Sequence, residues 1–481
     1  MFKKTFIAAA LLGLCTLPAH AAGEAKNVIF FLGDGMGPTT VTAARIYKYG
    51  EDGKLKMESL ERTARVITYS NDAQTTDSAP SMAAYMTGVK MNNEVLSMSP
   101  DTKAYDATNK PFFSGADSTC PTAGNGTAVT TILELAKSKG LAVGAVTTTR
   151  VTHATPAATY SHLCHRDGEN TISAQMVPGG AGYNAALGSG LDVLMGGGLK
   201  HYLPNTAALI NATDCIPAKA CKGARTDGRD LTAELTAKGY SVVTDRAGFD
   251  ALPTSTSKLV GLFTSSHMNF ELDRIAATEP SLQEMTLKAI DVLSKNSKGY
   301  FLMVEGGRID HALHNTNAKR ALEDTIAFDN AIDATLKKVD LSNTLIVVTA
   351  DHDHTMIING YGKRTGATTV SNAGILGVVK NVITGTPDND ADGTTYSNLG
   401  FGNGENRVAG ARNTVAALDE ITTSGKDYHQ EAAVRTASGS ETHGGGDVML
   451  MATGAGVASK SVKGVMVNTS VFNILKTAFG F

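Results

Sequence analysis

Five short apolar runs, at residues 28–32, 141–146, 191–195, 300–304 and 345–349, each stop abruptly at polar or glycine-rich residues. Their length and unbroken apolar character predict buried strands. Helical patterns lie between them, at residues 127–139, 280–295 and 317–339. Strands alternating with helices predict an α/β fold, a three-layer α/β/α sandwich around a large, mostly parallel sheet. Residues from about 360 to 440 break this rhythm. They are rich in Gly, Asn, Thr and Asp, with scattered apolar residues, and predict an inserted irregular lobe on the surface or at an interface. Residues 213–228 form a smaller excursion, and no internal repeat is present.

The N-terminus changes the picture. Lys3 and Lys4 precede an apolar run over residues 6–17, and Ala19-His20-Ala21 follows as a small-x-small pattern. This predicts a signal peptide over residues 1–21, an α/β domain over 22–481, and a periplasmic or secreted product. The run is too short for a membrane helix, and Leu14 before Cys15 argues against a lipoprotein site. Four cysteines remain after cleavage: Cys120, Cys164, Cys215 and Cys221. An even number in an oxidising compartment suggests two disulfides with three possible connectivities; Cys215–Cys221, with Cys120–Cys164 left over, is the favoured one. Buried free thiols are the alternative. A formal charge of −3 with no basic tract excludes a nucleic-acid groove. The 50 glycines are not periodic, which excludes a collagen-like chain.

Candidate chemistry collects where the strands end, the place where open parallel sheets bind ligands. The first run leads into Gly33-Asp34-Gly35-Met36-Gly37, the fourth into Glu305-Gly306-Gly307, and the fifth into Asp351-His352. A single such acid can be a helix cap, but three at one sheet edge call for another explanation. Asp310 and His314 stand four apart, on one face of a helical turn. With His352 and Glu441-Thr442-His443 they make a mixed set suited to zinc. Carboxylates clustered without cations repel one another, so metal binding is expected. Ser78 lies in Thr76-Asp77-Ser78-Ala79-Pro80-Ser81, just before a helix-compatible run over residues 81–86. A helix start favours an anion, although Ser78, Asp77 or Ser81 can equally be a plain N-cap.

These motifs, with Thr152-His153-Ala154-Thr155-Pro156-Ala157 and Val304 to His311, resemble those of the alkaline phosphatase family in order and spacing, over nearly the whole mature chain. Several resemble the animal enzymes more than the enteric bacterial type, which has Asp and Lys where this chain has His153 and His311. The resemblance implies hydrolysis of phosphate monoesters to an alcohol and inorganic phosphate, through a phosphoserine on Ser78. It implies one zinc on Asp310, His314 and His443, and a second on Asp34, Asp351 and His352 with Ser78. It also implies a magnesium shared by Asp34, Thr155 and Glu305, with His153 acting through water. Arg166 would clamp two phosphate oxygens and His311 would lie near the phosphate. A homodimer is implied in the same way.

The family's additional calcium site is in doubt, because Thr264 stands at a glutamate position and Glu279 at an aspartate position. Ser78-Ala79-Pro80-Ser81 also resembles the start of a sulfatase motif, but Met82 replaces the arginine that motif needs. A metal- or phosphate-scavenging binding protein is the remaining rival, and it leaves Ser78 idle. His201, His267, His354 and His429 are read as structural or exposed, and Gly196-Gly197-Gly198 as a tight turn after a strand.

Overall fold

Ten strands form one sheet in the computed structural model, which describes residues 25–209, 221–456 and 460–481. In chain order they are β1 (Asn27–Gly33), β2 (Arg62–Ile67), β3 (Ala142–Arg150), β4 (Val193–Gly197) and β5 (Ser241–Val243). The rest are β6 (Leu259–Leu262), β7 (Tyr300–Gly306), β8 (Thr344–Thr349), β9 (Val448–Gly454) and β10 (Val465–Val467). The spatial order is β10-β2-β9-β8-β1-β7-β3-β4-β6-β5. Only β9 is antiparallel to its neighbours. The α/β class and the mostly parallel sheet are therefore as the pattern predicts.

All five strands predicted from apolar runs stand side by side in the centre, as β8-β1-β7-β3-β4. Central strands are covered on both faces and must be apolar throughout. The five missed strands lie outward of them: β2 alternates in burial, β5 and β10 have three residues each, and β6 and β9 are buried strands that the apolar runs did not mark.

Two helical layers cover the sheet. On one side lie α1 (Pro38–Tyr49), α5 (Leu282–Leu293) and α7 (Ala318–Lys338). On the other lie α2 (Ser78–Thr87), α3 (Ile132–Ser138), α4 (Ala154–Tyr160) and α8 (Thr469–Phe479). The short α6 (Arg308–His314) follows β7. Neighbouring residues of β1 show the sandwich directly. Phe30 meets Tyr85 of α2 at 5.7 Å between ring centres, and Phe31 meets Phe328 of α7 at 5.8 Å. Alternation of side chains along a strand sends them to opposite layers.

Two helix starts differ from expectation. The run at 127–139 becomes helical only at Ile132, because Thr131 and Glu134 form a reciprocal cap. Conversely α2 begins at Ser78 rather than 81: Asp77 is the cap, accepting the Ala79 N–H at 2.7 Å. Ser78 thus sits in the first turn.

Between the main strands, Met356–Ile358, Leu399–Gly404 and Ala432–Arg435 form a small mixed sheet set among turns. Cys120 and Cys164 are joined by a disulfide. Cys215, and with it the pairing Cys215–Cys221, lies outside the described residues, as does the segment 1–21. Among the described residues no helix is long and apolar enough to cross a membrane.

Candidate metal and phosphate site

Parallel register brings the strand-end acids together. Leu32 of β1 pairs with Glu305 of β7 and with Thr349 of β8, so Asp34 and Asp351 emerge beside Glu305. Helix α2 is tied to the end of β8: Ser81 donates to the Asp351 carbonyl and Tyr85 to the Ala350 carbonyl, each at 2.7 Å. These bonds carry Ser78 to the same edge. Its Oγ lies 3.2 Å from His352 Nε2 and 3.4 Å from Asp34 Oδ1.

Two ligand groups adjoin one another. Asp34, Asp351 and His352 offer atoms within 4.8 Å of each other, and so do Asp310, His314, His354 and His443. Asp310 Oδ1 is 3.2 Å from His314 Nε2 and 3.5 Å from His443 Nε2. The other ring nitrogen of each expected histidine faces a carbonyl. His314 Nδ1 lies 2.6 Å from Glu441 O, His443 Nδ1 2.9 Å from Thr76 O, and His352 Nδ1 3.2 Å from Asp353 O. Donation at Nδ1 leaves the Nε2 lone pairs turned inward, the arrangement that metal-binding histidines need. A third group joins Asp34, His153 and Glu305. Thr155 Oγ1 lies 3.4 Å from Asp34 Oδ2, and Glu305 Oε2 accepts from Thr147 and Thr149.

The charges explain why cations fit. Asp34 is pushed well above the usual carboxylate range by burial, then by Asp310 and Glu305. Burial and the neighbouring Asp34 push Asp351 up to about 7. Burial raises Glu305 to about 7, against its hydrogen bond from Thr147. Asp351 Oδ2, Glu305 Oε1 and His153 Nδ1 are buried without hydrogen-bond partners. Buried polar atoms left unpaired are costly, and metal ions would satisfy these.

Arg166 and His311 complete the surroundings. Arg166 Nη1 is 3.2 Å from Asp77 Oδ1, and Nη2 is 3.1 Å from His153 Nε2. The His311 ring lies 5.4 Å from that of His153, and its Nδ1 accepts from Arg308 Nη1 at 2.7 Å. All twelve residues singled out from the sequence thus lie in one connected neighbourhood.

Two histidines read as structural or exposed belong there too. His354 is buried, with Nε2 at 2.8 Å from Asp310 Oδ1 and Nδ1 at 2.5 Å from Glu441 Oε2. Burial opposes its charge, but Glu441 and Asp310 outweigh it and raise His354 to about 10. With both nitrogens engaged, it orients Asp310. The glycines of the first motif were the available signal: a Cβ on Gly35 would sit 2.4 Å from the His354 ring, and one on Gly37 1.6 Å from Asp353 Oδ1. The His267 ring meets that of His311 edge-on, 4.2 Å between centres, and touches Arg150. Its segment packs against Gly197, where a Cβ would meet Ser266 O at 2.1 Å. His201 is buried beside Glu169, and His429 is exposed. At the doubtful calcium position, Thr264 Oγ1 donates to Ser266 O and Glu279 accepts from Asn269. Among the described residues Glu279 joins no cluster of three or more His, Cys, Asp or Glu side chains.

Comparison with known proteins agrees with this geometry. The family model described as "Alkaline phosphatase" matches residues 25–481. Alkaline phosphatase of Gadus morhua is 37% identical over 452 residues, covering 90% of this chain and 87% of that one. The tissue-nonspecific isozyme of Homo sapiens is 37% identical over 452 residues, covering 89% and 79%. The crystal structure of Thermus thermophilus alkaline phosphatase superposes with a TM-score of 0.64 at 25% identity, covering 95% and 92%. The enzyme of the Antarctic bacterium TAB5 shares the fold, with a TM-score of 0.63 at 20% identity, covering 96% and 99%. With the family matched from the first described residue to the last, this chain belongs to the alkaline phosphatases, metal-binding enzymes that hydrolyse phosphate monoesters.

Proposed function

We propose that the reaction proceeds by double displacement on Ser78. Its Oγ attacks phosphorus and the alcohol oxygen departs, taking up a proton, which leaves a phosphoserine. Water then attacks the same phosphorus, the Ser78–phosphorus bond breaks, and inorganic phosphate is released. Two inversions give net retention at phosphorus.

Asp310, His314 and His443 would hold one zinc; Asp34, Asp351 and His352, with Ser78, a second; Asp34, Thr155 and Glu305 a magnesium. When bound, the ions supply the positive charge that lowers the proton affinity of hydroxyl and water and steadies oxyanions, and they orient Asp34. The chain's own groups do the rest. The start of α2 offers N–H groups to the phosphate, and Arg166 grips two of its oxygens. Asp77 keeps the Arg166 guanidinium aimed, 3.2 Å away. His153 and His311 line the pocket as neutral imidazoles, both held down by burial and then by neighbouring arginines.

The observation that carries this reading is Ser78 Oγ poised 3.2 Å from His352 Nε2, inside a group of inward-facing imidazoles and unpaired buried carboxylate oxygens. Ser78→Ala tests it. The variant is expected to keep its zinc and magnesium, to take up no covalent phosphate, and to lose at least about a thousandfold in kcat. Full turnover with no serine would end the proposal. Metal analysis should find two zinc ions and one magnesium per chain. Export after cleavage near Ala21 and assembly as a homodimer belong to the same reading, and N-terminal sequencing and sedimentation of the secreted protein check them.

A further inference from the structure

Glu94 has φ of +72°, a left-handed conformation uncommon for a residue with a side chain. Such strain persists only where surrounding bonds hold it. Here the bonds run to the phosphate clamp. The Glu94 N–H donates to Asp77 Oδ2, and the Arg166 N–H donates to the Glu94 carbonyl at 2.8 Å. Next to it, Asn93 Oδ1 accepts the Asp77 N–H at 3.3 Å. Asp77 in turn caps α2 through Ala79 and pairs with Arg166. One turn therefore ties the nucleophile's helix to the arginine.

The side chain adds a second element. Among the described residues the Glu94 carboxyl has no side-chain hydrogen bond or ion pair, the residue is partly buried, and its strongest charged neighbours are Asp77 and Arg166. Asp77 already neutralises the guanidinium. A second acid close to the guanidinium weakens its pull on any anion it binds.

We propose that Glu94 is a positioning residue for Arg166 whose negative charge limits how tightly the pocket retains inorganic phosphate. This rests on the reading of Arg166 as the phosphate clamp.

The test compares Glu94→Gln, Arg166→Ala and the double variant, using p-nitrophenyl phosphate turnover and inhibition by inorganic phosphate above pH 8. Glu94→Gln keeps the backbone bonds and removes the charge. It should lower both KM and the phosphate inhibition constant about fivefold. In the Arg166→Ala background the same change should leave both constants unaltered. Unchanged constants in the single variant overturn the proposal, as does an equal shift with and without Arg166. If Arg166→Ala itself leaves phosphate inhibition as it was, the clamp reading fails instead. Glu94→Gly, which relieves the positive φ, should raise thermal stability and reproduce the tighter phosphate binding.

Discussion

His354 shows what a single side chain contributes here. It holds Asp310 on one nitrogen and Glu441 on the other, so the carboxylate on which His314 and His443 also converge is fixed from behind. Loss of such an outer partner typically weakens a metal site about 10–100-fold. His354→Ala should therefore release zinc at lower chelator concentrations than the parent protein, measured by zinc content after graded dialysis. Gly35 is its counterpart in the turn that follows β1. Its φ is +64°, and a Cβ there would sit 2.4 Å from the His354 ring. Gly35→Ala combines backbone strain with overpacking and should cost about 1–3 kcal/mol of stability, read from denaturant unfolding.

Within the helical layer beneath the site, the start of α3 is joined to the segment that carries Arg166. His162 Nε2 lies 2.7 Å from Glu134 Oε1, and both side chains are largely buried. Burial pushes Glu134 up, but His162 and the N–H of Thr131 outweigh it and hold the carboxyl below its usual range. Burial lowers His162, but Glu134 overcomes this and raises it. The signs define a window. The depressed acid contributes stability above its unfolded pKa of about 4.3, lost as pH falls through its folded value. The raised imidazole contributes fully below its unfolded pKa of about 6.5, lost as pH rises through its folded value. Glu134→Gln should thus destabilise most between about pH 5 and 6.5, by about 3 kcal/mol, and much less at pH 9. Thermal midpoints across pH would expose a flat difference, which is incompatible with this account.

Across the whole molecule, the Cys120–Cys164 disulfide closes a loop with a sequence separation of 44. In the chain-entropy view such a loop restricts the unfolded chain by about 4 kcal/mol. The paired change Cys120→Ser with Cys164→Ser should lower the thermal midpoint clearly, read by comparing the melting of this variant with that of the parent protein under the same non-reducing conditions. Much of the architecture was legible beforehand because the central strands are sealed on both faces. The outward strands β2, β5 and β10 were not legible, since half-exposed or three-residue strands carry little apolar signal. The site was legible to the same degree: acids ending β1, β7 and β8 announce themselves locally, whereas His267 and His354 have no local pattern that sets them apart.

Sequence alone determined the fold class, the central strands and the acidic strand ends, because burial and chain direction act on neighbouring residues and leave a periodic trace. Tertiary structure decided which side chains those acids meet: His354 against Asp310, Asp77 and the strained Glu94 around Arg166, and which buried oxygens remain unpaired. Such pairings join segments tens to hundreds of residues apart. Only the packing of the layers sets those distances, and no local pattern encodes them.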